Sequence, residues 1–278
     1  MRRKDFSTAL GLLSGVLVIT LSLIWGQKDI GKTFMLFFDV PSIFIVIFGS
    51  FSSIIISFKW ETVKNIPNVL KTAFMSKEES KIDIIRMFID LSKQARREGL
   101  LSLENEIDKI NDNYIKSGVQ MIIDGFEEDS IQKTMELAMD KTEERHKKYV
   151  QVFRMWANLA PSYGMLGTFI GLILMMANFK DMSRFSSAFA TVLVTSFYGA
   201  VLSNLVFATL ANKLDIKNSD ELNKMELVLE GIMDIHSGVN PRIMEENLKT
   251  FLSAKEKKEY ELSNGQRNQE EAVIRNAA

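Results

Sequence analysis

The chain has 278 residues, 34 basic against 35 acidic, and a formal net charge of −1 at pH 7, a balance that gives nucleic acid nothing to bind. It has no cysteine, which excludes disulfides, thiolate metal sites and cysteine nucleophiles. A mean hydropathy of +0.03 is too apolar for a soluble protein with 25% charged residues and too polar for one lying wholly in a membrane, so long apolar segments must alternate with charged ones.

Four stretches lack Asp, Glu, Lys, Arg and His: Phe6–Gln27, Val40–Phe58, Met155–Phe179 and Phe185–Asn212. Each approaches or exceeds the roughly 20 helical residues that cross a ~30 Å hydrocarbon core. The first follows Arg2, Arg3 and Lys4. It fits the apolar part of a signal peptide, but no small-x-small cleavage site follows Ile24-Trp25-Gly26, so it reads as a retained span. Buried core helices are the plainer alternative, disfavoured by four such stretches paired around a charged block. Trp25, Trp60 and Trp156 lie at or beside span ends, where amphipathic rings prefer to sit. The chain thus reads as an all-α membrane protein. Transmembrane helices 1 and 2 occupy residues 1–58 and helices 3 and 4 residues 155–212. A helical cytoplasmic domain, 59–154, stands between spans 2 and 3, and a helical cytoplasmic tail occupies 213–278.

Orientation follows from flanking charge. One side carries Arg2, Arg3, Lys4, Lys59, Lys64, Arg145, Lys147, Lys148, Arg154, Lys213 and Lys217; the other carries Lys28, Lys32, Lys180 and Arg184, partly offset by Asp29 and Asp181. The positive-inside rule puts both termini and the central block in the cytoplasm. In that block Ile84, Ile85, Phe88, Leu91 and Ala95 recur at three- and four-residue steps, the buried face of a helix over Ile82–Gly99. Gly99 ends it, and Ser102 is placed to cap a helix from Leu103. Amphipathic stretches follow at Tyr114–Phe126 and Ser130–Phe153. No strand alternation is present. The tail reads as helix over Lys213–His236 and again near Pro241–Lys257, with a polar end, Glu261–Ala278, disordered in part.

No enzyme constellation is found: no Gly-rich phosphate loop, no His pair at ligand spacing, no Ser/His/Asp set. Neither metal nor cofactor is expected. His146 and His236 read as solvated surface residues, and Glu78-Glu79 and Glu127-Glu128-Asp129 as solvated helix ends or turns. Ion-translocating proteins usually keep an ionisable residue within the bilayer, yet none lies in these spans. Either the chain conducts nothing or a partner supplies the carboxylate. In span three, Gly164, Gly167, Thr168 and Gly171 share one helical face above Pro161. Span four has Thr191, Thr195, Gly199 and Ser203 at four-residue steps. Such thin faces suit close helix packing, either within the chain or around a foreign helix. Pro161 also leaves the Ala157 carbonyl without its helical donor.

The run Pro161-Ser-Tyr-Gly164-x-x-Gly167-Thr168-x-x-Gly171, followed by Thr195-Ser196-Phe-Tyr198-Gly199-Ala200, resembles the membrane core of the MotA/PomA flagellar stator family, within the MotA/TolQ/ExbB superfamily. The run Ala95-Arg96-Arg97-Glu98-Gly99-Leu-Leu-Ser102-Leu103-Glu104 is similar to a segment typical of MotA itself. The resemblance covers about residues 5–255. It implies a stator subunit of the bacterial flagellar motor in the inner membrane, a homo-pentamer around two copies of a MotB-like single-span partner bearing a membrane aspartate. Ion flow through this 5:2 complex would drive the rotor. The resemblance makes Pro161 the residue that couples ion passage to motion, with Thr168, Thr195 and Ser196 along the ion path. It makes Arg96 and Glu104 the contacts to the rotor switch protein. Some relatives carry a second proline late in span four, where this chain has Thr209. The transported ion is read as the proton, with sodium possible through threonine hydroxyls. The alternatives are a TolQ/ExbB-like energiser, which usually has three spans, a sodium-driven stator of the PomA type, and a scaffold that transports nothing.

Overall fold

The computed structural model describes residues 3–4, 6–25, 29–76 and 80–264. Arg2, Gly26 and Gln27 at the ends of the first apolar stretch, Lys28 of the first short loop, the Glu78-Glu79 pair and the tail beyond residue 264 lie outside them. The described chain is helical: α1 (Phe6–Ile24), α2 (Ile30–Phe37), α3 (Val40–Ser57), α4 (Trp60–Phe74), α5 (Lys81–Glu98), α6 (Glu104–Ile107), α7 (Asn113–Ile123), α8 (Glu128–Ala177), α9 (Met182–His236), α10 (Pro241–Lys249) and a last stretch over 254–264. The expected absence of strand meets one small exception, an antiparallel pairing of β1 (Arg3–Lys4) with β2 (Met75–Ser76). Two residues are too few for alternation to reveal.

Two compact units divide the chain, Met1–Lys77 with Glu144–Asn218 and Glu78–Glu143 with Ser219–Ala278. The first contains α1 to α4 and the apolar parts of α8 and α9. Three of these helices, α3, α8 and α9, are long and apolar enough to cross a membrane, and α1 adds a shorter apolar stretch, Leu10–Ile24. Only 22%, 22% and 28% of the apolar windows of α3, α8 and α9 are buried. A core helix would be covered by its own protein, whereas these helices leave most of their apolar sides for another apolar medium. Nineteen residues make α1 about 28 Å long, close to the span a bilayer requires.

Local chemistry sets the ends of these helices. Asp39 caps α3 by accepting from Ser42 N at 3.0 Å, with Pro41 in the first turn, where its missing donor costs nothing. Asp181 caps α9 through Ser183 N and Arg184 N at 3.1 and 3.2 Å. At the other end of α4 the Lys217 ammonium donates to the carbonyls of Thr72, Ala73 and Met75 at 2.7, 3.0 and 2.9 Å. A cation suits the carbonyl end of a helix. Both α3 and α9 widen into a π-helical turn, at Phe44–Gly49 and Leu202–Phe207.

Ile54, Val63, Ile66, Phe153, Ala157, Ala160, Phe207 and Leu210 form the buried core of this unit. Trp156 belongs beside it. Its ring stacks 4.3 Å from Phe207 and its indole N–H donates to Ser50 Oγ at 2.9 Å. This ring beside a span end is thus also a packing residue, its polar atom partnered inside the bundle. Trp25 and Trp60, by contrast, are exposed.

The second unit closes a core of its own around Ile85, Phe88, Leu103, Ile115, Ile122, Ile131, Met135, Leu227, Ile232 and Tyr260. All five residues of the α5 face read from the sequence are buried. Gly231 and Gly118 let the helices approach: a Cβ at Gly231 would stand 2.8 Å from the Phe88 ring, and one at Gly118 2.8 Å from Ile232. Gly99 ends α5 at φ 86°, the left-handed region that glycine tolerates. Ser102 does not act as the expected helix cap. Its hydroxyl donates back to Gly99 O at 2.7 Å, inside a 3₁₀ turn over Leu100–Leu103.

Two helices run straight through the change between charged and apolar sequence. Ser130–Phe153 and Met155–Phe179 fall largely within the single helix α8, and Phe185–Asn212 runs on into Lys213–His236 within α9. A change from charged to apolar side chains alters the solvent a helix prefers, not its backbone hydrogen bonds, and no glycine stop lies at either junction. The histidines are also more engaged than a solvated reading allows. His146 Nδ1 lies 3.1 Å from Asn218 Oδ1, and His236 Nε2 lies 3.1 Å from Phe126 O. Of the tail end expected to be disordered, 261–264 is helical.

Candidate functional site

The two small-residue faces meet each other. A Cβ at Gly164 would lie 2.9 Å from Thr195 O, one at Gly171 3.1 Å from Ala188 O, and one at Gly199 2.8 Å from Ala160 O and 3.1 Å from Pro161 Cα. Gly167 is filled by the Thr195 side chain. Gly164, Gly167, Gly171 and Gly199 thus serve close packing of α8 on α9 within one chain, where backbone meets backbone. Of the two readings left open by the sequence, the intra-chain one describes these glycines.

This packing sorts the hydroxyls. Thr195 is fully buried and donates to Thr191 O at 2.8 Å, so its side chain is held inside the α8–α9 contact. Thr168 is half-buried and donates to Met165 O at 2.6 Å. Ser196, next to Thr195 but turned outward, is exposed, as is Pro161. Pro161 and Ser196 are therefore open on the outer side of the helix pair, while Thr195 lies within it. Thr209 is exposed and donates to Leu205 O at 2.6 Å, an ordinary bond to its own helix in place of a proline kink.

Four polar contacts escaped the sequence reading. Ser203 Oγ, buried, donates across to Ala157 O at 2.6 Å, the carbonyl that Pro161 deprives of a helical donor. That carbonyl is therefore not free, as the proline alone suggests. Asp39, half-buried at the start of α3, accepts a hydrogen bond from Thr191 Oγ1 at 3.2 Å and another from Ser42 Oγ. It places a carboxylate against the α9 face one residue before a stretch that sequence analysis counts as free of charge. Near it, Tyr198 donates its hydroxyl to Phe37 O. Asp39 had a sequence signal, an Asx residue followed by Val-Pro at a helix start. Ser203 had none beyond its place in the small stripe.

Arg96 and Glu104 belong to the second unit. They lie exposed on either side of the Gly99 turn, and neither makes an ion pair among the described residues, whereas neighbouring Arg97 bonds Glu98 at 2.6 Å. Four groups of this unit have shifted titrations. Desolvation pushes Tyr114 and Tyr260 up to about 12 and raises Asp234 and, with the neighbouring Asp234 charge, Glu230 above their ordinary values.

A family model described as the MotA/TolQ/ExbB proton channel family matches residues 106–227. Motility protein A of Borreliella burgdorferi is 39% identical over 229 residues, 82% of this chain and 88% of the relative. The chain belongs to the MotA/PomA stator family. The solved flagellar MotAB stator complex of Bacillus subtilis resembles it with a TM-score of 0.85 and 26% identity, over 92% of this chain and 99% of that one. The MotAB structure of C. jejuni matches with a TM-score of 0.83 and 25% identity, over 90% and 96%. This family contains channel and stator components, so the chain is a stator-type membrane protein and not an enzyme.

Proposed function

We propose that the chain is the larger subunit of a flagellar stator, five copies surrounding two copies of a single-span partner that carries a membrane aspartate. The likeness to two stator complexes over at least nine-tenths of the chain is the observation that carries this reading. The site is consistent with it. Its glycine faces are used up inside the chain, its outer side exposes Pro161 and Ser196, and the apolar stretches hold no acid of their own. A carboxylate from outside would complete an ion path. In this reading α1, α3, α8 and α9 provide four spans of the inner membrane, with both termini and the second unit in the cytoplasm.

Ion movement supplies about 2.3 kcal/mol per charge per 100 mV. A partner aspartate that takes up a proton loses its charge and meets an apolar helix face at lower cost; on release it is charged again and must leave that face. Alternation between these states against the Pro161 side, with Thr168, Thr195 and Ser196 lining or supporting the path, would turn the pentamer. Arg96 and Glu104 would pass the movement to the rotor switch protein. The proton is the favoured ion.

The test is co-expression with the cognate single-span protein in a motile host lacking its own stator. Restored swimming and a five-to-two native mass are expected. A stable monomer that binds no such partner would sink the proposal. Swimming that stops when sodium is withdrawn at a constant proton gradient would replace the proton with sodium.

A further inference from the structure

Pro161 and Ser203 stand in two different helices, and one backbone atom joins them. A proline inside a helix leaves the carbonyl four residues earlier without its N–H donor. A buried carbonyl in that condition costs about as much as a lost hydrogen bond. In α8 the carbonyl is that of Ala157, which is itself buried. Its donor comes from α9, where the Ser203 hydroxyl, also buried, lies 2.6 Å away.

Three other serine and threonine hydroxyls of α9 behave differently. Ser186, Thr195 and Thr209 each donate to the carbonyl four residues back in their own helix, the usual habit of helical serine and threonine. Ser203 instead reaches across to α8. It does so from the second residue of the π-helical turn Leu202–Phe207. Such a turn inserts an extra residue into the helical period and re-aims the side chains around it. One turn earlier, Gly199 lies against Ala160 O and Pro161 Cα with no room for a Cβ. The glycine brings the backbones together, the widened turn aims the hydroxyl, and the hydroxyl satisfies the carbonyl.

We infer that Ser203 is a positioning residue for ion-driven movement: its hydroxyl replaces the donor that Pro161 cannot supply and ties α9 to α8 at the proline. The inference rests on the stator reading for movement and on geometry alone for the bond. A side-chain donor differs from a backbone donor in one useful respect. It can release the carbonyl and return to it without unwinding a helix, so the α8–α9 contact can yield at the proline while both helices persist.

The test monitors the Ala157 carbonyl directly, in the complex with its partner. Carbonyl-¹³C alanine combined with ¹⁵N asparagine selects three Ala–Asn peptide bonds, after Ala157, Ala177 and Ala211, and the first is identified by its loss in Asn158→Gln. In Ser203→Ala this resonance is expected to move upfield as the hydrogen bond is lost, and swimming speed to fall about twofold or more. Ser203→Thr, which keeps the hydroxyl, is expected to restore both. On a Pro161→Ala background the new backbone N–H supplies the donor, and Ser203→Ala should no longer move the resonance. If Ser203→Ala is not recovered from membranes, Ser203→Cys, of similar size but a poor donor, must give the same pair of changes. A resonance that stays in place overturns the bond, and a resonance that moves while speed matches the parent overturns the positioning role. A parent chain that supports no swimming with its partner sinks the stator reading and the movement half of this inference with it, while the resonance still decides the bond.

Discussion

The two units are both built from helices, but by opposite rules. In the second, large side chains such as Phe88, Ile115 and Leu227 point inward and are wholly or almost wholly covered, and charge lies outside. In the first, Leu13, Phe44, Ile173 and Leu193 point outward, and glycine, threonine and serine hold the interior of the α8–α9 contact. Where water surrounds a unit, the hydrophobic effect assembles it, and area removed from water is what counts. Where an apolar medium surrounds it, that force is absent between helices, and close backbone approach with fully satisfied hydrogen bonds takes its place. The same substitution should therefore have different effects on the two sides.

The largest contrast lies in adding or removing volume. Gly199→Leu would press a side chain into Ala160 O and Pro161 Cα, backbone atoms that cannot swing aside. Folded protein should disappear from membrane fractions, as read by quantitative blotting. Ile173→Ala, in α8 but 69% exposed, should leave the amount unchanged. In the second unit the opposite operation does the damage. Phe88→Ala removes a ring that is 0% exposed, which should lower stability by about 3–5 kcal/mol, measured as thermal unfolding of the complex in detergent. If Ile173→Ala destabilises the chain as much as Phe88→Ala, the two-rule account fails.

Next in size is a change that should leave stability alone and remove function. Pro161→Ala returns a backbone donor to the Ala157 carbonyl and keeps the apolar length of α8. Normal amounts of membrane protein with strongly reduced swimming are expected. Normal swimming would make Pro161 a tolerated proline without a coupling role.

Much of the first unit was legible because apolar runs and small-residue steps are written directly in residue types. Gly164, Gly167, Gly171 and Gly199 could be assigned to close packing, but not to a partner. A glycine face looks the same whether its neighbour is α9 or another protein. The packing of Trp156 was not legible for a related reason, since its place near a span end does not announce the Ser50 hydroxyl that takes its N–H. The bonds from Ser203 to Ala157 and from Thr191 to Asp39 were not legible. Both depend on where a hydroxyl points, and one of them on a π-helical turn that no residue pattern announces. In the second unit the period of three and four marked the α5 face correctly, because burial against water leaves that imprint on sequence.

A smaller effect probes the cost of closing the second core. Asp234 is buried beside Glu230, with Asn247 Nδ2 3.4 Å away as its hydrogen-bond donor. Burial raises its pKa above the usual carboxylate value, so the fold favours the protonated acid. Its stabilising contribution is complete below the unfolded-state pKa and is lost as pH rises through the folded one. At neutral pH the ionised group is a burden. Asp234→Asn should raise the melting temperature slightly near pH 7.5, and the gain should shrink as pH falls toward 4. A gain that is independent of pH would assign the effect to packing.

The smallest expected effect belongs to the surface of the second unit. Arg96 and Glu104 are exposed, so each is already solvated and its loss leaves no buried charge behind. If they meet the rotor as proposed, they act between surfaces that touch and part repeatedly. Exposed contacts of this kind are worth about 0–1 kcal/mol and are screened by salt. Arg96→Gln should therefore lower torque only modestly, measured as the rotation rate of tethered cells, while melting and membrane amount stay at parental values. Reversing both charges, Arg96→Glu with Glu104→Lys, converts two attractions into repulsions and should nearly stop rotation, again without unfolding. Neither residue lies in an apolar span, so ion leak through an unplugged complex should match the parent. A compensating reversal on the rotor should restore movement, which no repair of folding could mimic. Normal rotation in the double reversal would return both side chains to an ordinary solvated surface.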